Sequence, residues 1–280
     1  MKKLSYLMLS LLAVITCGCA ETEQPYVGYI VVERAVVEAA GSSTTITADT
    51  DLSSPIIMEV AEDAADWCTV SAQGKEITAT ATKPNTGSTF RTATVKVKCG
   101  YRETSFVVLQ KYEGQEYLQY DWTKWTATGN SVEASDGGGY PSLFTEDRSE
   151  YWHSQWSGGT VPLPYIINID MKEVLEIAKF DIGRRYYSNG NNYGTVKVLD
   201  VYASTDNENF TKVGGFRFEL PWTAPDGTIV TGATNPLIPA YEEVIPAETV
   251  TARYIKLEIT ETNMPNNAAQ IGYFKAYEKI

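Results

Sequence analysis

The chain has 280 residues, which at roughly 100–200 residues per domain predicts two domains, each long enough to bury a core. Its 23 Lys and Arg stand against 35 Asp and Glu, a net charge of −12, and no basic run exceeds two residues, which argues against nucleic acid as a partner. The single histidine, His153, argues against HExxH zinc sites and other clusters needing several imidazoles, and a hydrophobic content of 43% with 18 Tyr and 6 Trp is that of a folded chain.

In chain order, Lys2-Lys3 and the apolar run Leu4 to Thr16 give a positive n-region and a short h-region, below the roughly 20 residues of a membrane-spanning helix. The pattern predicts a signal peptide over 1–18. At its end Thr16-Cys17-Gly18-Cys19 resembles the lipobox of bacterial lipoproteins, in which the cysteine becomes the lipidated first residue. Gly18 makes Cys19 the better lipidation site; Cys17 is the second candidate, and two unmodified cysteines in an ordinary signal peptide the third. The tether over 19–28 opens on Ala20-Glu21-Thr22-Glu23-Gln24, similar to the surface-export signal of Bacteroidota-type lipoproteins. Loss of residues 1–18 removes two Lys and no acid, taking the net charge from −12 to −14. The localisation these features imply is the outer membrane, lipid-anchored and exposed on the cell surface.

From 29 to 112 the chain alternates with period two through Thr44 to Ala48, Ile56 to Val60, Glu76 to Thr82, Ala93 to Lys98 and Ser105 to Leu109, which predicts a small β-sandwich. Cys68 and Cys99 both fall on strand-like segments; a disulfide and two buried thiols are both open. Ala40-Gly41-Ser42-Ser43-Thr44-Thr45-Ile46, Asp66-Trp67-Cys68-Thr69-Val70-Ser71, Phe90-Arg91-Thr92-Ala93-Thr94-Val95 and the closing Val108-Leu109-Gln110-Lys111 resemble a BACON domain. The resemblance implies an immunoglobulin-like sandwich that serves as a spacer. Trp67, set beside Cys68 and Val70, reads as a core residue rather than a sugar platform.

Residues 113–116 read as a linker. From 117 to 280 a second β-rich segment runs through Tyr165 to Asp170, Glu176 to Ile182, Thr195 to Ser204, Lys212 to Glu219, Ala252 to Thr260 and Gln270 to Glu278, joined by Gly-, Asn- and Pro-rich loops that suggest a jelly roll. The fold class is therefore all-β in both domains. Trp125-Thr126-Ala127-Thr128, Glu150-Tyr151-Trp152-His153-Ser154-Gln155-Trp156, Arg184-Arg185, Val201 to Asn207 and Ala252 to Leu257 resemble a discoidin domain, or coagulation factor five/eight type C domain. Within that group they are similar to the family 32 carbohydrate-binding modules.

Sugar recognition needs an aromatic face for the apolar side of a pyranose and planar polar groups for its hydroxyls. The resemblance to galactose-type modules implies His153, Trp156, Arg185 and Asn192 as ligand-binding residues, with Tyr187 and Tyr193 in an aromatic cradle beside the arginine. The competing readings are a buried, hydrogen-bonded His153 and an Arg185 paired with Asp181; Trp152 reads as core. Trp222 is a second loop aromatic. Many such modules hold a structural Ca2+ in an Asp-Gly-Asp-x-x-Thr loop ahead of the tryptophan; here the run is Thr145-Glu146-Asp147-Arg148-Ser149-Glu150, with Asp147 and Glu150 as the metal candidates and a metal-free, hydrogen-bonded loop as the alternative. No Gly-x-Ser-x-Gly, P-loop or singled-out carboxylate pair is present. The expectation is a non-catalytic surface protein whose partners are a glycan, the outer membrane and the proteins of a glycan-uptake complex; the alternative is a protein-interaction or structural accessory of such a complex.

Overall fold

The structure is a computed structural model describing residues 28–159 and 161–280. The leader, Cys17, Cys19 and the tether up to residue 27 lie outside the described residues. Every regular element among the described residues is a β-strand or a short 3-10 turn, so the all-β expectation holds. The chain divides into two compact units, the first ending at Glu113 and the second beginning at Gly114. Gln115 and Glu116, read as linker, belong to the second unit: Gln115 is buried, and the Glu116 carbonyl accepts the Ile280 amide at 2.9 Å.

The N-terminal unit contains two principal sheets. One has the order Ala35–Val37, Arg102–Gln110, Arg91–Cys99, Ile56–Val60; the other has the order Ser43–Thr47, Glu76–Ala81, Cys68–Gln73. Alternation dictates which side chains go inside: along Arg91–Cys99 the residues Ala93, Val95, Val97 and Cys99 are buried, while Thr92, Thr94, Lys96 and Lys98 face solvent. These pack with Trp67, Ile77, Ala79 and Phe106 in a single core. Cys68 and Cys99 are buried free thiols, and Cys99 Sγ donates to the Ser54 carbonyl at 3.2 Å.

The C-terminal unit is a sandwich of a five-stranded and a four-stranded sheet. The first has the order Thr126–Gly129, Tyr165–Ile177, Val250–Thr262, Val196–Ser204, Thr211–Arg217; the second has the order Tyr117–Gln119, Tyr273–Lys279, Lys179–Gly183, Tyr241–Val244. Ile167, Ile169, Leu199, Val201, Ile255 and Leu257 from the first meet Phe180, Phe274 and Ala276 from the second in one core, with Trp125 and Trp152 packed into it. Two small ladders then build the loops that matter: Trp152–His153 pairs with Gln270–Ile271, and Tyr186–Tyr187 pairs with Asn191–Tyr193, which pairs in turn with Thr234–Asn235.

Candidate functional site

The Trp152–His153 ladder sets the base. Trp152 is fully buried, with Nε1 donating to the Ser131 carbonyl at 3.0 Å, so its neighbour His153 is carried to the opposite side of the strand. Beyond His153 the chain leaves the sheet, and a carboxylate catches it. Glu133 Oε2 accepts the Trp156 amide at 3.2 Å and the Ser157 amide at 2.9 Å, while Oε1 accepts the hydroxyls of Ser157 at 2.9 Å and Ser135 at 2.6 Å. Held by the Ser135 hydroxyl and the Ser157 amide, the Glu133 carboxyl titrates at about 2. Trp156, anchored through its backbone, leaves its indole 51% exposed.

His153 is 5% exposed. Its Nδ1 lies 2.6 Å from the Ser154 carbonyl, which fixes the proton there and leaves Nε2 as an acceptor. Burial lowers its pKa, so the ring is neutral at pH 7. The imidazole stands between two aromatic rings, Trp156 at 6.4 Å and Tyr151 at 6.3 Å between centroids. Tyr151 donates its hydroxyl to Asp136, and burial, with that bond second, lifts the phenol to about 12. Gly137 backs this ring at φ 91°; a Cβ there would lie 2.3 Å from the Tyr151 carbonyl oxygen.

Over the Tyr151 ring, at 3.8 Å, sits the guanidinium of Arg185, with Tyr193 at 5.0 Å and Tyr187 at 5.4 Å around it. The Asn189-Gly190 turn, both residues at positive φ, folds the two tyrosine-bearing strands together, and Tyr187 meets Tyr193 edge to face at 5.3 Å. Arg185 is not paired with Asp181, which is engaged by Lys179 at 3.3 Å and by the Tyr277 hydroxyl at 2.6 Å. Arg185 Nε is buried with no hydrogen-bond partner. The site thus presents a flat apolar indole, a neutral acceptor and planar cationic donors to one region. That suits a flat ligand with one apolar face and hydroxyls around its rim.

Asn192 is bound into the scaffold. It is 8% exposed, its Oδ1 accepts Arg148 Nη1 at 2.8 Å and its Nδ2 donates to the Ile238 carbonyl at 2.8 Å. Its amide is engaged at both ends beneath the site. Trp222 is also elsewhere, packed 5.5 Å from Phe218 in a small cluster with Val230 and Ile238.

The Asp147 and Glu150 loop does not fit Ca2+ well. Asp147 Oδ1 accepts both the amide and the hydroxyl of Ser149, at 2.9 and 2.5 Å, and its carbonyl accepts the Glu150 amide at 3.1 Å. Among the described residues no three His, Cys, Asp or Glu side chains gather in a metal-ligating group. The protein's own cations hold the loop: Lys275 Nζ pairs with Glu146 at 2.7 Å, and Arg148 inserts its guanidinium against Asn192. Sequence reading missed Glu133, Tyr151 and Asp136; the only trace of Glu133's role is the pair of serines it binds, one of them 24 residues away.

Comparison with known proteins places these features in a family. Residues 58–111 match the BACON family, described as an N-terminal binding domain, and residues 124–272 match the F5/8 type C domain. Among solved structures, the C-terminal domain of a chitobiase from Bacteroides fragilis is 27% identical and covers 58% of this chain and 99% of its own, with a TM-score of 0.44. The family 32 carbohydrate-binding module of Clostridium perfringens NanJ, in complex with galactose, is 18% identical with coverages of 58% and 99% and a TM-score of 0.43. A SusE-like protein is 17% identical with coverages of 90% and 97% and a TM-score of 0.46. The F5/8 type C match spans more than half of the sequence, and the chain belongs to the F5/8 type C domain family, carrying a BACON domain ahead of it.

Proposed function

We propose that the protein is a non-catalytic glycan-binding protein whose C-terminal domain captures carbohydrate, with galactose-type termini as the first ligand class to test. The observation that carries this reading is Arg185, whose planar donors lie among Tyr151, Tyr187 and Tyr193 with Nε unpaired, at one end of a row of rings that runs through Tyr151 and His153 to the exposed Trp156. Trp156 supplies the stacking face, Arg185 donates to ring hydroxyls and His153 Nε2 accepts from one. Tyr187 and Tyr193 orient the guanidinium, and Asn192 acts only through the scaffold. The acids around the site support a binding role over hydrolysis, because a glycosidase acid must carry a proton near neutral pH, whereas Glu133 titrates at about 2 and is held by several donors. A single shallow site should bind with a dissociation constant on the order of 0.1–1 mM. The test is a broad glycan array together with calorimetric titration of the full chain with galactose and N-acetylgalactosamine. Saturable binding lost in Trp156→Ala is the expected result; a blank array and flat titrations would replace this reading with a protein-interaction accessory.

The leader pattern extends the proposal to a lipid anchor at Cys19, exposure on the outer membrane and service in a glycan-uptake complex, where many anchored copies raise avidity with no new contact. Metabolic labelling with a fatty-acid analogue is expected to disappear in Cys19→Ala. Retention there with loss in Cys17→Ala moves the anchor two residues upstream.

A further inference from the structure

Resting on that reading, the structure directs attention to a residue that no sequence motif marks. Gln270 is 6% exposed, its Oε1 is buried with no hydrogen-bond partner, and among the described residues its side-chain amide forms no hydrogen bond to the protein. Its backbone, by contrast, is held: the Gln270 amide donates to Thr195 Oγ1 at 3.0 Å, and the preceding Ala269 amide donates to Ser154 Oγ at 3.0 Å. A buried amide oxygen left unmatched by the protein carries a desolvation cost that folds rarely tolerate without a use.

Its place in the fold supplies the use. Gln270 is directly opposite His153 in the antiparallel ladder, so the two side chains leave the same face with Cβ atoms about 5 Å apart. Two residues further on, Gly272 packs against the Arg184–Arg185 peptide so closely that a Cβ would lie 2.5 Å from the Arg184 carbonyl oxygen and 3.2 Å from the Arg185 amide nitrogen. Gln270 therefore stands on the strand that runs from His153 to the backbone of Arg185. Arg185 Nε is the other buried polar atom of this region with no partner.

We infer that Gln270 is a specificity-determining residue of the glycan site, its amide receiving a sugar hydroxyl adjacent to the one held between His153 and Arg185. A Gln amide both donates and accepts, as a hydroxyl does, whereas His153 Nε2 only accepts and Arg185 only donates. The three together match a pair of neighbouring hydroxyls better than a single one.

The test is Gln270→Met in the full chain, beside the wild type and Trp156→Ala, on the same glycan array and in titrations with galactose and N-acetylgalactosamine. Met keeps the length of the side chain and removes its polar atoms, so the melting temperature should stay or rise while affinity falls about tenfold or more. Binding equal to wild type, with Trp156→Ala still defective, overturns the role of Gln270 and leaves the glycan reading standing. A melting temperature lowered by several degrees marks Gln270 as a packing residue and also overturns it. A wild type that binds nothing on the array or in the titrations removes the glycan reading and this inference with it.

Discussion

Each domain holds an arginine over an aromatic ring and a buried glutamine, and the two sets behave in opposite ways. In the N-terminal domain the Arg91 guanidinium lies 4.3 Å from the Trp67 ring, its Nε donates to Gln110 Oε1 at 2.8 Å and its Nη2 to the Lys83 carbonyl at 2.9 Å. Gln110 in turn donates to the carbonyls of Glu38, Ala39 and Lys83. Arg91 Nε and Nη2 and both ends of the Gln110 amide have protein partners, and the result is a closed structural network. In the C-terminal domain Arg185 lies 3.8 Å over Tyr151 with Nε unmatched, and Gln270 keeps its amide unbonded. The same residue types over the same kind of ring are joined to the protein in one domain and keep polar atoms without a protein partner in the other; hydrogen-bond satisfaction separates them, where residue identity does not.

The largest expected effect breaks the comparison from the N-terminal side. Gln110→Met leaves the half-buried Arg91 Nε without an acceptor, while the three carbonyls each retain another donor: Gly41 N on Glu38, Asn85 N on Ala39 and Arg91 Nη2 on Lys83. The cost should be about 2–3 kcal/mol, or about 10–20 °C in the melting transition of a domain this small. Differential scanning calorimetry should show that loss, set against no loss for the same substitution at position 270. Equal losses at the two positions would erase the distinction between a closed network and an open one.

The strands were legible because their period is simple. Ala93, Val95 and Val97 alternate with Thr and Lys, and burial follows that alternation residue by residue. Tyr241–Val244 was not, since its Tyr-Glu-Glu-Val sequence has no alternation and its position at a sheet edge is set by pairing with Phe180–Gly183. At the candidate site, motif and loop context pointed to an exposed Trp156 and to an Arg185 among tyrosines, and the structure has both features. The facing of Asn192 was not legible, because spacing cannot show which way a strand faces: in the Tyr186–Tyr187 and Asn191–Tyr193 ladder it pairs with Tyr186, while Tyr187, Asn191 and Tyr193 share the other face. Glu133 and Gln270 were invisible for a related reason. Their partners are distant in sequence or absent, and a lone Glu or Gln leaves no pattern.

A smaller effect sharpens the comparison within the site. Glu133 titrates at about 2 in the folded chain against about 4.5 for a free glutamate side chain, so it favours the ordered loop above pH 4.5, and that contribution is lost as pH falls toward 2. Glu133→Gln should therefore loosen the Trp156 loop at neutral pH and weaken glycan binding severalfold while Trp156 itself is intact. Tryptophan fluorescence of Trp156, isolated by difference against Trp156→Ala, should report the loosening. The variant's loop signal should also lose the wild type's change between pH 4.5 and 2. An unchanged loop signal and affinity would show that the serine hydroxyls and the chain's own geometry hold Trp156 without the carboxylate.

The smallest expected effect is none at all, from adding or removing calcium. A cation at the 145–150 loop would need six to eight oxygens, but Asp147 Oδ1 is turned onto Ser149 and Glu146 is paired with Lys275. Arg148 places positive charge against Asn192 Oδ1 and, more loosely at 3.4 Å, against the Arg184 and Ala240 carbonyls. A third cation in this loop would face two resident ones, so the melting temperature should be the same in excess chelator and in millimolar calcium. A bound ion would be plain to see, because a ligand at a hundred times its dissociation constant stabilises the native state by about 2.7 kcal/mol. That is about 5–10 °C for a domain of this size. Such a rise would mean that Asp147 and Glu150 turn to the metal when it is offered and that the lysine and arginine do not substitute for it. Lys275→Met separates the two cases further: it removes the ammonium paired with Glu146, and a calcium response that appears only in this variant would show that the lysine keeps the ion out.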